Sequence, residues 1–346
     1  MWEIGTVFFR VDAIIFMARE FKWGIIGPGS IAKEFTEDLI NIKQDHHFVK
    51  ALVGHRKESV EKFLQENKVD NVYYSVKELI DSRSVDCVYV ATPHTHHYEA
   101  CMELLEAGIP VLCEKPMAIN AKQVLEIINK SKETNTFFME GMWIRCLPSI
   151  KTVMDIIKSG EIGEVFHMNA KLTYKAPFDP ENRYFNPKLG GGSLLDLGVY
   201  PIYLSHFILG NPTEIKATSK IINGTDGSTA AVLSCGSGAY SVIESSFITR
   251  AVNNDAIIYG DKGSICISEA WNEKPDLITV QIYNGEKREI KPEWAGKGIY
   301  FEAEEMTKCM LENRIESELL PHKCSLEVAQ VMDEIRNQSN IKYPNE

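Results

Sequence analysis

The chain has 346 residues, enough for two domains that each bury a core. Hydrophobic residues make up 44% and charged residues 25%, ordinary values for a globular protein. A formal net charge of -11 argues against nucleic-acid and anionic-membrane partners and leaves room only for a local basic pocket.

The opening run "MWEIGTVFFRVDAIIFMA" is apolar, but Glu3, Arg10 and Asp12 interrupt it and no basic start precedes it. It does not read as a signal peptide. Residues 1–16 are expected to be an extension outside the fold, with Met17 as the natural start, and the fold is expected from residue 21. No run reads as a transmembrane helix. There are eight cysteines and no Cys-x-x-Cys pair. Cys87 and Cys113 lie in apolar, strand-like runs, as buried reduced thiols do, which points to the cytoplasm.

From residue 21, strand-like and helical runs alternate. "FKWGIIG" precedes the helical spacing of "SIAKEFTEDLINI", and "HFVKALVGH" precedes "KESVEKFLQEN". "VDCVYVAT" leads to "HHYEACMELLEAG", and "PVLCEK" leads to "AKQVLEIINKSKET" and "TFFMEG". Nearly all-apolar strands between helices imply a parallel sheet covered on both faces. The first turn fits G-x-G-x-x-A with Gly27, Gly29 and Ala32. Gly27 allows the tight turn, Gly29 lets the backbone approach a pyrophosphate, and Ala32 lets the helix pack closely. With Ser30 and Ile31 at the helix start, this predicts a Rossmann dinucleotide-binding domain over residues 21–141.

An acid at the end of the second strand would bind the ribose hydroxyls of NAD. His55 stands there instead, followed by Arg56 and Lys57. A guanidinium at that place suits a 2′-phosphate, which favours NADP over NAD; the alternative is a pair of solvated residues opening a helix. "ATPHTHHYEA" clusters His94, His96 and His97. No complementary Cys or His pair suggests a metal, so Thr92, Pro93 and His94 read as a cofactor-facing turn. "PVLCEKP" ends a buried strand with Glu114 and Lys115 at the carboxyl edge of the sheet. Lys115 is either a proton-handling group beside the nicotinamide or a surface lysine paired with Glu114.

After about residue 142 the signals change, and an α+β domain with a large, mostly antiparallel open sheet is expected over 142–346. In "EVFHMNAKLTY", Phe166, Met168, Ala170, Leu172 and Tyr174 alternate with polar residues, as in a half-buried strand. "LGGGSLLDLGVYPI", residues 189–202, is ambiguous. Asp196 and Tyr200 are four apart, on one helical face if a helix forms. Ser193 and Asp196 also fit a capping box, and Pro201 restricts Tyr200. The three glycines read as backbone approaching a bound ligand closely. "EIKATSKII", "STAAVLSCG", "AYSVIESSFI", "NDAIIYG" and "ITVQIYNG" are further strands with hairpin turns at "GDKG" and "NGEK". Two periodic helices close the chain. His206 and His322 read as packing or surface residues.

"GPGSIA", "ATPHTHH", "AGIPVLCEKP", "MEGMWIRCLP" and "RYFNPKLGGGSLLDLGVYPI" occur in an order that resembles the Gfo/Idh/MocA oxidoreductases. The likeness runs from about residue 21 to the end, nearest the branch of dihydrodiol dehydrogenase, D-xylose dehydrogenase and glucose–fructose oxidoreductase. The resemblance implies that Lys115, Asp196 and Tyr200 are catalytic. It implies that Trp143, Arg145 and Arg183 line the substrate pocket, and that the open sheet pairs with another subunit as a homodimer or higher oligomer. The implied activity is hydride transfer between NAD(P) and a sugar or trans-diol. Tyr200 would be the acid/base, drawn toward neutrality by Lys115, with Asp196 orienting the substrate hydroxyl or Lys115. The rivals are a nucleotide-sugar ketoreductase and a non-catalytic NADP-sensing regulator.

Overall fold

The computed structural model describes residues 19–344. The expectation for residues 1–16 lies outside the described residues.

The first sheet is built from β1 (Glu20–Ile26), β2 (His46–Val53), β3 (Asn71–Tyr73), β4 (Cys87–Val90), β5 (Val111–Glu114) and β6 (Phe138–Gly141). Its order is β3-β2-β1-β4-β5-β6 and its described pairings are parallel. Helices α1 (Ser30–Asp38), α2 (Lys57–Glu66), α3 (Val76–Ser82), α4 (His97–Glu106) and α5 (Ala121–Thr134) connect the strands. The order reverses between β1 and β4, which opens a ligand crevice at their carboxyl ends. Strand β3 and helix α3 escape a periodicity reading, because three residues show no alternation. Their local signal is Ser75, whose hydroxyl accepts the Glu78 N–H at 3.2 Å and caps α3.

Helix α6 (Pro148–Lys158) leads to the second sheet. Its strands are β7 (Val165–Thr173), β8 (Glu214–Ile222), β9 (Thr225–Ser234), β10 (Tyr240–Ser246), β11 (Ala256–Gly260), β12 (Gly263–Ile267), β13 (Ile278–Ile282) and β14 (Lys287–Ile290). The order is β14-β13-β12-β11-β7-β10-β9-β8, antiparallel except for the parallel β7–β10 pair. Met168, Ala170 and Leu172 of β7 are buried as the alternation predicts, but Phe166 and Tyr174 at its ends are about half exposed. Helix α7 (Val199–Leu209) packs on β7 and β10, and covers only the middle of that face. The segment Pro187–Leu209 is apolar enough to span a bilayer, yet 72% of its most apolar window is buried inside the fold.

Helices α8 (Tyr300–Leu311) and α9 (His322–Ser339) turn back to the first sheet. The Phe138 N–H of β6 donates to Ile315 O at 3.0 Å, and the Ala121 N–H of α5 donates to Asp333 at 2.9 Å. Asp38, buried at the end of α1, accepts the N–H groups of Lys297, Gly298 and Tyr300. One contiguous core therefore runs through both sheets. The two lobes are locked, so side chains from each can meet at a fixed distance.

Candidate active site

The first feature is the turn after β1. Gly27 has φ +100°, and a Cβ there would lie 2.7 Å from Ala91 O of the neighbouring strand end. Gly29 is the N-cap of α1 without a side-chain cap, and the first turn holds no acid. A Cβ on Gly29 would meet nothing nearer than 3.9 Å. The N–H groups of Ser30 and Ile31 belong to this uncapped first turn, at the positive end of the helix. Across the crevice, Thr92 Oγ1 is buried without a hydrogen-bond partner. This cradle fits the pyrophosphate of a dinucleotide. Arg56 stands exposed at the N-cap of α2, beyond the end of β2. It makes no ion pair among the described residues, whereas Lys57 faces Glu61 of its own helix at 3.7 Å.

The second feature joins the lobes. Lys115 Nζ donates to Asp196 Oδ1 at 2.7 Å and to Asp196 O at 2.8 Å. Both side chains are nearly buried. The surface pairing of Lys115 with Glu114 is therefore absent; the Glu114 side chain instead accepts from the Tyr89 hydroxyl and from the Lys115 N–H. Arg183 Nη1 reaches Asp196 Oδ2 at 3.2 Å, with its guanidinium over the Tyr184 ring. Burial alone would raise the Asp196 carboxyl, but the Lys115 and Arg183 cations override it and hold the group well below the usual carboxylate range.

His94 Nδ1 lies 3.0 Å from Gly190 O, so the proton sits on Nδ1 and Nε2 turns its lone pair toward the site. Burial pushes His94 down to about 3, so it is neutral. His97 spans Pro116 O and Thr92 O at 2.9 and 2.8 Å, and ties the cofactor turn to the lysine loop. His96 is exposed. Among the described residues, no group of three or more His, Cys, Asp or Glu side chains converges as a metal cage.

The helix around Asp196 is unusual. Residues Leu194–Gly198 form a wide π turn, in which the Val199 N–H donates to Leu194 O. In that register the Asp196 carbonyl would receive the N–H of residue 201, which is proline. The orphaned carbonyl is the one that Lys115 takes. Pro201 then falls in the first turn of α7, where a missing N–H costs nothing. The wide turn immediately precedes Tyr200, which lies with Pro201 inside α7.

For this run one alternative falls and one expectation is corrected. Asp196 is not a cap: Ser193 has helical dihedrals, and its hydroxyl donates to Asp226 of β9 at 2.8 Å. Asp226 also accepts the Leu194 N–H at 2.7 Å, so the capping acid comes from the sheet. The glycines make room for protein, not ligand. A Cβ on Gly190 would press on His94, one on Gly191 on the Arg183–Asn186 backbone, and one on Gly192 would lie 2.2 Å from Asp226 Oδ1.

Tyr200 lies with its ring 5.0 Å from Lys115 Nζ. Among the described residues its hydroxyl makes no hydrogen bond, which leaves it available to a substrate. The expected lowering of its pKa by Lys115 does not occur. Burial, then Glu114, Asp196, Glu273 and Glu302, push the phenol well above its ordinary value, and the Lys115 charge is taken up by Asp196. Trp143 follows β6 with its indole N–H buried and unpartnered, beside the same sheet edge. Arg145 is not brought to Asp196: its Nε donates to Leu319 O and its guanidinium stacks on Phe207 at 4.4 Å. His206 pairs with Glu327 at 2.7 Å, and His322 contacts Phe138 O at 2.9 Å, both remote from Asp196. The buried acids Asp226, Glu140 and Glu302 carry no motif or periodic signature; the one local signal is a lone acid inside an apolar run, as in "FFMEGM".

Residues 21–142 match the NAD-binding Rossmann-fold model of the Gfo/Idh/MocA oxidoreductase family, and residues 150–266 match its C-terminal domain. The chain belongs to the Gfo/Idh/MocA family. It is an NAD(P)-dependent oxidoreductase. It is 32% identical to a D-xylose 1-dehydrogenase (NADP(+)) from Hypocrea jecorina, with 93% of each chain covered. It is 30% identical to mouse trans-1,2-dihydrobenzene-1,2-diol dehydrogenase, covering 93% of this chain and 98% of that one. An aldose–aldose oxidoreductase from Caulobacter crescentus shares the fold at a TM-score of 0.83 and 22% identity, covering 93% of this chain and 98% of that one. A 3-ketoreductase from Actinomadura kijaniata, in complex with TDP-benzene and NADP, shares it at 0.79 and 21%, with the same coverage.

Asp226 supplies a pH test of the support behind the site. Burial raises its pKa to about 6, above the roughly 3.9 of an unfolded aspartate. Its contribution to stability is fully present below about pH 4 and is lost as pH rises through about 6. Asp226→Asn mimics the protonated acid. Its melting temperature relative to the wild type should rise between pH 4.5 and 7.5, by the equivalent of about 2 kcal/mol. A pH-independent difference would contradict this.

Proposed function

We propose that the chain is an NADP-preferring dehydrogenase or reductase acting on a CH–OH carbon of a sugar or trans-diol. Residues 21–141 hold the cofactor, and the part from residue 142 holds the substrate. The observation that carries the reading is the meeting of Lys115 from one lobe with Asp196 and Tyr200 from the other at the mouth of the dinucleotide crevice. When bound, the nicotinamide supplies the hydride acceptor or donor. Glu114, Thr92, Pro93 and His94 line the approach to that ring. Lys115 and Tyr200 present two donors to one substrate oxygen and stabilise negative charge on it. Asp196 fixes the lysine ammonium and leaves one of its three N–H groups for substrate. Trp143 and Arg183 bound the substrate, which by the D-xylose and dihydrodiol relatives is a polyol or diol.

A protonated resting Tyr200 gives specific support to a second reading, carbonyl reduction of the nucleotide-sugar ketoreductase kind, with the same residues run in reverse. A purely NADP-sensing regulator is the weaker alternative, because it has no use for a buried Lys115–Asp196 pair beside an unpartnered phenol. The free Arg56 supports NADP through a 2′-phosphate contact.

The outer face of the second sheet supports self-association. Tyr240, tilted, and Tyr259, stacked, flank His167 there at 4.4 and 5.3 Å, beside partly exposed Val232 and Val242. A second copy of the same face is the proposed partner, and Val242→Arg should turn the dimer into a monomer in light scattering; an unchanged mass would oppose that arrangement. All eight cysteines are free and five are buried, which supports a reducing compartment such as the cytoplasm.

The direct experiment follows nicotinamide absorbance with a panel of aldoses and trans-diols, using NAD and NADP in parallel. Oxidation should climb by about one log unit per pH unit from pH 7 to 9, because a raised phenol releases its proton only as pH rises. Tyr200→Phe should lower turnover about 100-fold or more, and Arg56→Ala should raise KM for NADP about tenfold while sparing NAD. Full turnover in Tyr200→Phe, or no activity on the whole panel, would defeat the reading.

A further inference from the structure

Glu140 is a charged residue in the middle of an apolar strand. It lies in β6 opposite Cys113 of β5, and is 3% exposed. Burial pushes its carboxyl up, and only local donors and Lys115 oppose that cost. Such a group is held in a core only if its partners are fixed, and here they are. Glu140 Oε1 accepts the Met117 N–H at 2.9 Å, two residues beyond Lys115. Glu140 Oε2 accepts the hydroxyl of Tyr203, three residues beyond Tyr200 on α7. The Tyr203 oxygen also lies 3.0 Å from Ser325 Oγ of α9. Tyr203 and Ser325 are themselves buried.

We propose that Glu140 is a positioning residue: its carboxylate ties the backbone that carries Lys115 to the helix that carries Tyr200. The Lys115–Asp196 pair ties the tip of the lysine to the turn just before Tyr200, and leaves the lysine backbone and the α7 segment beyond Tyr200 to be tied separately. Glu140 ties both, so the ammonium and the phenol meet one oxygen together. Displacement by about 1 Å in such an arrangement costs about 100-fold in rate. The inference rests on Lys115 and Tyr200 being catalytic.

Glu140→Ala should lower kcat about 30-fold while KM for NADP stays within about threefold. Glu140→Gln keeps an acceptor for Met117 and a donor for the Tyr203 oxygen, and should restore kcat to within about threefold of wild type. Tyr203→Phe removes one hydroxyl without changing the packing and should cost about fivefold, which keeps the test open if Glu140→Ala does not fold. In a Tyr200→Phe background, Glu140→Ala should cause little further loss. Normal kcat in folded Glu140→Ala or in Tyr203→Phe would overturn the proposal. So would losses that multiply in the double variant, which is how a purely structural role behaves. Normal turnover in Tyr200→Phe alone would instead remove the catalytic reading on which the inference stands.

Discussion

The buried contact between Lys115 and Asp196 is the constraint on which the site depends. Each charge alone would be costly where both side chains are nearly buried, and each is supplied by a different lobe. The pair holds only because α8 and α9 lock the second lobe to the first sheet through Asp38, Ile315 and Asp333. The wide turn at Leu194–Gly198 then adds a second acceptor, the Asp196 carbonyl, which Pro201 leaves unpaired. Arg183 balances the outer carboxylate oxygen. Remove any of these and a charge or a carbonyl is left unpaired in the interior.

That contact also sets the electrostatics of its neighbours. Because Asp196 engages the lysine ammonium, Tyr200 sees mainly burial and carboxylates and keeps its proton. The resting site is therefore a donor site, suited to an oxygen that gains negative charge. Neutral His94 beside it adds a lone pair rather than a third cation. Half-buried Glu114 and buried Glu302, both pushed up by burial, are among the acids that raise the phenol.

Much of this was legible in the sequence where local chemistry decides the outcome. The turn at Gly27–Ala32, the alternation of strands and helices, and the alternating core face of β7 follow from steric freedom and periodicity. The pairing of Lys115 with Asp196 came from a family resemblance, since nothing in spacing links residues 81 apart. Local patterns misled in two places. Ser193 and Asp196 look like a capping box, but an acid on a distant strand, Asp226, takes the cap. The glycines at 190–192 look like a ligand loop, but they admit His94, the Arg183 loop and Asp226. The resemblance implies Arg145 at the substrate pocket, and the structure seats it on Leu319 O and the Phe207 ring rather than on Asp196. In each case the deciding partner is remote in sequence, and only the packed fold supplies it.

The central claim is that Lys115 and Asp196 act on the reaction as one unit across the two lobes. A double-mutant cycle in single-turnover hydride transfer tests it, with Lys115→Ala, Asp196→Asn and the double variant compared at fixed pH and saturating cofactor. The account predicts strong non-additivity, with the double variant no slower than about threefold below the slower single variant. Losses that multiply, or an Asp196→Asn variant with wild-type rate and only a lowered melting temperature, would contradict it.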